Sequence, residues 1–149
     1  MKKLGKSSKK GFTLVELIVV IVILAVLAAM LVPALIGYVD RAKKEKDYQT
    51  ASTVYAAAQA AITEKYAKGD TTIVKGTEGK LEATTTADGD LVLELAGVSK
   101  DKVTAYSFSY DKNLIITKGE VTIKNGGQNA AAVTYEMDEY GAWGPKATT

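Results

Sequence analysis

Between Leu17 and Val39 the chain runs 23 residues without a charged side chain. As a helix this run would be about 34 Å long, enough to cross a hydrocarbon core of about 30 Å. It is almost entirely Val, Ile, Leu and Ala. Such β-branched density suits a strand in water, but strands seldom exceed about 10 residues. In lipid only a helix satisfies its own backbone, so the run predicts a membrane-spanning helix. Pro33 lies inside it. Lacking an N–H, it cannot donate to the carbonyl of Ala29, and its ring crowds that turn, so a kink or locally open stretch is expected there. One acid, Glu16, stands just before the run. A charge at the bilayer centre costs about 2.5–3.5 kcal/mol, so this carboxylate asks for a partner.

The charge balance divides at the same place. The net charge of +2 hides a leader, residues 1–11, that holds five lysines and no acid. Without those five, 14 bases face 17 acids, a net charge of −3. A basic surface for nucleic acid is therefore not supported. The leader's lysines outweigh residues 40–47, so the leader stays inside and the remainder faces out. There is no Cys and no His. That removes thiol nucleophiles, disulfides and the commonest general base and metal ligand. The acids near Asp138 and Glu139 lack calcium-loop spacing, and no metal or cofactor is expected.

The stretch KKGFTLVEL, with the long apolar run and Pro33 after it, resembles the N-terminus of a type IV prepilin or a related pseudopilin, with its class III signal peptide. The resemblance rests on the basic leader, the Gly11–Phe12 junction, Glu16 four residues after the Phe, and the uninterrupted apolar helix. It implies cleavage between Gly11 and Phe12 by a membrane prepilin peptidase, with N-methylation of the new Phe12 amine. It also implies pairing of Glu16 with the Phe12 ammonium of a neighbouring copy, and allows the helix around Pro33 to melt on assembly. The partners implied are further copies of the chain, membrane lipid before assembly, a platform protein and a cytoplasmic ATPase. Without the resemblance, Glu16 reads as an interfacial acid favoured by the helix dipole, and Gly11 as a loop residue.

Residues 40–69 read as an amphipathic helix. Ala51, Val54, Tyr55, Ala58 and Ile62 form one apolar stripe. Arg41, Lys43, Lys44, Glu45, Lys46 and Asp47 form a solvated stretch before it, and Gly69 supplies the stop. Residues 70–90 suggest a variable loop, with a short strand at 72–75. Residues 91–98 fit two patterns: Leu91, Leu93 and Leu95 alternate as in a strand, whereas Asp90 and Gly97 could cap a short helix with Leu91, Leu95 and Val98 on its face. The capped helix is the favoured reading. From Val103 the period switches to two in VTAYSFSY, NLIIT, EVTIK and AAVTYEM, with turns at 111–113, 118–119 and 125–127. This predicts four antiparallel strands. Tyr106, Phe108, Tyr110, Val121, Ile123, Val133, Tyr135 and Met137 are the candidate core face. Tyr140, Trp143 and Pro145 should pin the tail, and 146–149 should fray.

The expected fold is α+β, divided into a leader (1–11), an apolar helix (12–39), an amphipathic helix (40–69) and a sheet-bearing domain (70–149). The expected function is structural: a pilin that polymerises into a cell-surface filament. A pseudopilin of a secretion or DNA-uptake apparatus is the alternative, and a single-pass tethered binding or enzymatic domain a more distant one.

Overall fold

The computed structural model describes residues 11–83, 89–124 and 131–147. The chain divides into two units, one reaching Ala42 and the other starting at Lys43. The first unit is the N-terminal part of α1, a 54-residue helix over Leu14–Ala67 that contains Pro33. Helix persists on both sides of that proline. Every residue from 11 to 46 is exposed, and this part of α1 is long and apolar enough to cross a membrane.

The second unit packs the rest of α1 on a five-stranded antiparallel sheet of order β1-β2-β3-β4-β5. Its strands are Gly79–Ala83, Val103–Tyr110, Ile116–Lys124, Ala132–Met137 and Trp143–Pro145. The apolar stripe lies where its spacing places it, with Ala51, Val54, Ala58 and Ile62 buried and Tyr55 partly so. Tyr55 meets Phe108 edge-on at 6.3 Å between ring centroids, and Tyr48 meets Tyr135 at 5.5 Å. Gly69, at φ 75°, closes the helix as a left-handed C-terminal stop, and Asp70 N–H donates to Lys65 O at 3.0 Å.

Asp47 departs from the solvated stretch expected for it: only 2% of it is exposed. The Tyr135 hydroxyl donates to its Oδ2 at 2.8 Å, and Lys102 Nζ stands 3.9 Å from Oδ1. Sequence periodicity misplaces this acid because its phenol donor comes from a strand 88 residues away. Gln59 makes a second polar bridge. Its amide donates to Leu114 O at 2.7 Å and accepts from Ile116 N–H at 2.9 Å, standing in for a backbone neighbour at the start of β3.

Several strand expectations need correction. NLIIT and EVTIK are not two strands, because Lys118 and Gly119 lie inside β3 rather than in a turn. Gly119 is there for its partner: a Cβ at that position would lie 2.8 Å from Phe108 Cε1, so the buried ring needs the bare backbone opposite it. Gly79 serves Tyr110 in the same way across β1–β2. Residues 72–75 are turn and bend, and the strand in that region is β1. Val133 shares a face with its partner Ile123 yet is 40% exposed. Met137 is only partly buried, while the other expected core-face residues are buried. Tyr140 pins nothing, being 87% exposed, whereas Trp143 and Pro145 pair with Met137 and Tyr135 as β5. Lys146 is not frayed: its N–H donates to Thr134 O at 2.8 Å. The turn expected at 125–127 lies outside the described residues.

The caps decide 91–98. Asp90 accepts from Val92 and Leu93 N–H, Gly97 is left-handed at φ 63°, and α2 spans Leu91–Ala96. Of the expected face, Leu91 and Val98 pack partly buried against the core and Leu95 is exposed, while Val92 and Leu93 are the fully buried pair. Asp90 also accepts the Tyr106 hydroxyl, at 3.0 Å and 3.1 Å to its two oxygens.

The loops that close β2–β3 and β4–β5 repeat one design. Asp111 Oδ1 accepts from Asn113 and Ile115 N–H, as Asp138 Oδ1 accepts from Tyr140 and Ala142 N–H. The left-handed residue is Leu114 at φ 68° in the first loop and Gly141 at φ 82° in the second. Leucine carries a steric cost of about 1–2 kcal/mol there. Its buried side chain offsets that cost, since burial of a leucine contributes about 1.5–3 kcal/mol.

Two measurements check this packing, both by thermal unfolding of the full chain in detergent, followed by near-ultraviolet circular dichroism. Gly119→Ala should cost about 1–3 kcal/mol through the Phe108 clash. Gly144→Ala, with open space at its Cβ, should stay within about 0.5 kcal/mol. The second measurement is the alkaline limb. Burial, then the neighbouring Asp90 or Asp47, pushes the Tyr106 and Tyr135 phenols well above the ordinary tyrosine range. The folded chain therefore holds these protons more tightly than the unfolded one. That contribution is complete below pH about 10 and is lost as pH rises from there through the folded-state values. Stability should fall above pH about 10, and less steeply in a Tyr106→Phe, Tyr135→Phe double variant.

Candidate processing and assembly site

The segment from Gly11 to Glu16 begins as coil and becomes helix at Leu14. Thr13 is the N-cap and Glu16 the third helical residue, the T-x-x-E arrangement of a capping box. The Thr13 N–H and hydroxyl both donate to Glu16 Oε2, at 2.8 Å and 2.9 Å. Glu16 N–H in turn donates to Thr13 Oγ1 at 3.2 Å. The signal for this cap is local, Thr13 and Glu16 three apart at the start of the apolar run.

The cap satisfies donors without neutralising the acid. Thr13 is neutral, and among the described residues no Lys or Arg forms an ion pair with Glu16. One carboxylate oxygen is engaged by the cap, and Oε1 makes no hydrogen bond among the described residues. An N-terminal acid gains about 0.3–1 kcal/mol from the helix dipole. That is less than the roughly 2.5–3.5 kcal/mol that a charge costs deep in a bilayer.

Gly11 and Phe12 lie in the coil ahead of the cap, and Phe12 is 91% exposed. A Cβ on Gly11 would meet nothing within 4 Å, and its φ is not in the left-handed region. Nothing among the described residues calls for glycine at this position. Leu17 and Val39, the limits of the uncharged run, are both exposed on α1. Pro33 lies in the same part of the helix, 17 residues beyond Glu16 and away from the cap. No group of His, Cys, Asp or Glu suited to a metal occurs among the described residues.

Thr13→Val removes one donor to Glu16 and the cap's acceptor, whereas Thr13→Ser keeps both. The first should loosen the opening turn by about 0.5–2 kcal/mol, seen as faster amide exchange at residues 14–17 in detergent. The second should not.

No curated protein and no solved structure matches the chain. A family model does match, over residues 6–32: the prokaryotic N-terminal methylation motif. The capped, fully exposed helix start with its Gly-Phe junction lies inside the matched segment, and the chain carries the class III signal peptide of type IV pilins and pseudopilins.

Proposed function

We propose that the chain is the precursor of a major pilin, which loses residues 1–11 and polymerises through α1 into a cell-surface filament. The observation that carries this reading is the first half of α1. A methylation motif opens it, and its apolar side chains are all exposed, with none covered among the described residues. Such a surface is satisfied by lipid or by other copies of itself and by little else. The apolar helix and the motif fit anchoring in a membrane before assembly.

In this reading the prepilin peptidase hydrolyses the Gly11–Phe12 amide. The new Phe12 ammonium, then methylated, becomes the counter-charge that the cap does not supply. A neighbouring copy presents it to Glu16 in an apolar bundle, where a subunit out of register would bury two lone charges. Pro33 gives α1 a weak point for bending or melting as the helices pack. A platform protein and an ATPase would drive extraction from the membrane. The outward face of α1 supports helix packing as well: no charge occurs between Asp47 and Glu64, and Ser52, Thr53, Ala56, Ala60 and Thr63 are exposed. Small residues let backbones approach closely. Nothing in the site favours catalysis. A pseudopilin would share every feature at the N-terminus, and imaging cells for long surface filaments of this protein separates the two.

Processing and assembly are testable apart. Intact-mass and N-terminal analysis of sheared filaments should find a methylated Phe12 start, and an unprocessed Met1 start would overturn the cleavage. Glu16→Ala and Glu16→Gln should both insert and be cleaved but fail to assemble, if charge rather than size is what matters. A bulky residue in place of Gly11 should leave inserted, uncleaved precursor. Normal filaments from Glu16→Ala would refute the pairing.

A further inference from the structure

The face of the sheet turned away from α1 carries a trough. On β2, Tyr106, Phe108 and Tyr110 are buried on the α1 side, whereas Ala105, Ser107 and Ser109 face outward. These three side chains are small, and the neighbouring strands carry long ones. Lys80 on β1 and Lys118 on β3 pair with Ser109, while Glu82 and Glu120 pair with Ser107. The serines thus form a floor between two walls, which stand two strand spacings apart, about 9.6 Å. The cavity above this floor, which extends to β4, measures about 580 Å³, within the range of ligand sites. Among the described residues neither serine hydroxyl makes a hydrogen bond, and Lys118 is in no ion pair.

The charges across this trough are sorted by row. One row is Lys80, Ser109 and Lys118, and the next is Glu82, Ser107 and Glu120. Glu136 on β4 continues the second row, directly opposite Glu120. Like charges placed opposite one another destabilise a sheet, so solubility alone does not call for such rows. Lys80 and Glu82 meet at 3.0 Å along β1, and Lys146 meets Glu120 at 2.7 Å. Both pairs are exposed and therefore weak, so each partner is able to turn to a ligand. The rows lie two residues apart along the strands, about 6.8 Å. Same-side residues of any extended chain repeat at that distance. The four charged wall residues sum to zero, which disfavours a polyanion or a polycation. We infer that the trough binds an extended peptide segment that carries an acid and a base two residues apart. The acid lies over the lysine row and the base over the glutamate row. Small serines let the segment's backbone come close, and their hydroxyls serve its peptide groups. The inference rests on the sheet-bearing unit alone, not on polymerisation or membrane anchoring.

Titration of the isotope-labelled full chain in detergent with blocked peptides, followed by amide NMR shifts, tests this. The probe is Thr-Glu-Thr-Lys-Thr, which puts both charges on one side of an extended chain. Thr-Glu-Lys-Thr-Thr puts them on opposite sides, and Thr-Glu-Thr-Glu-Thr carries only acids. The first should give saturable shifts at residues 107–109 and 118–120, weakened by salt. The other two should bind about tenfold more weakly, since each loses the ion pairs of one row. Equal shifts from all three peptides overturn the inference, as does a lack of saturable shifts with the first. Shifts from neutral maltopentaose and none from the peptides also overturn it, and would make the trough a sugar site. Lys118→Glu should weaken binding about tenfold. Ser107→Leu fills the floor, leaves every charge in place, and should weaken binding as much. Both residues face outward, so the core is untouched. Unchanged affinity in either variant refutes the assignment.

Discussion

The exposed apolar run of α1 has no solution in water, and the rest of the structure is arranged around that fact. Helix formation pairs its backbone internally, but its side chains have nothing to lie against among the described residues. Among the described residues the sheet-bearing unit takes no buried residue from before Asp47. Its own core is complete, with Phe108, Ile62, Ile123, Val54, Val103 and Val121 fully buried.

Within the sheet-bearing unit, α1 is held by two kinds of contact. The Ala51–Val54–Ala58–Ile62 stripe supplies apolar burial, which is non-directional and would tolerate sliding. Asp47 and Gln59 make that contact directional. One takes the hydroxyl of Tyr135 on β4, and the other clamps the backbone at the start of β3. The side of Gln59 facing β3 reproduces a strand's donor and acceptor, so this end of the sheet and the helix are tied by peptide-like bonds. The hairpin loops add local rigidity through Asp111 and Asp138, whose carboxylates gather the turn N–H groups. Asp111 is held below the usual carboxylate range by its Ile115 bond above all.

At the start of the apolar run an acid is given neutral donors by Thr13, and among the described residues no Lys or Arg forms an ion pair with it. The cap satisfies hydrogen bonds there without neutralising the charge of Glu16.

Much of this was legible locally. The apolar run, the Gly11–Phe12 junction with Glu16, the stripe from Ala51 to Ile62 and the caps of α2 are all signals carried within a few residues, where propensity, period and capping chemistry act. What the sequence concealed depends on partners distant along the chain. The turn-like Lys118–Gly119 pair is strand interior because Phe108, on the neighbouring strand, needs the space above Gly119. Asp47 resembles its solvated neighbours until Tyr135 arrives from β4. Strand β1 hides in a polar stretch because β2 supplies its pairing, and its own Lys80 and Glu82 face away from the core. Residue spacing along a chain reports which side a residue occupies. Only the tertiary structure decides what stands opposite, and for a buried polar atom or a bare glycine that opposing group determines the cost.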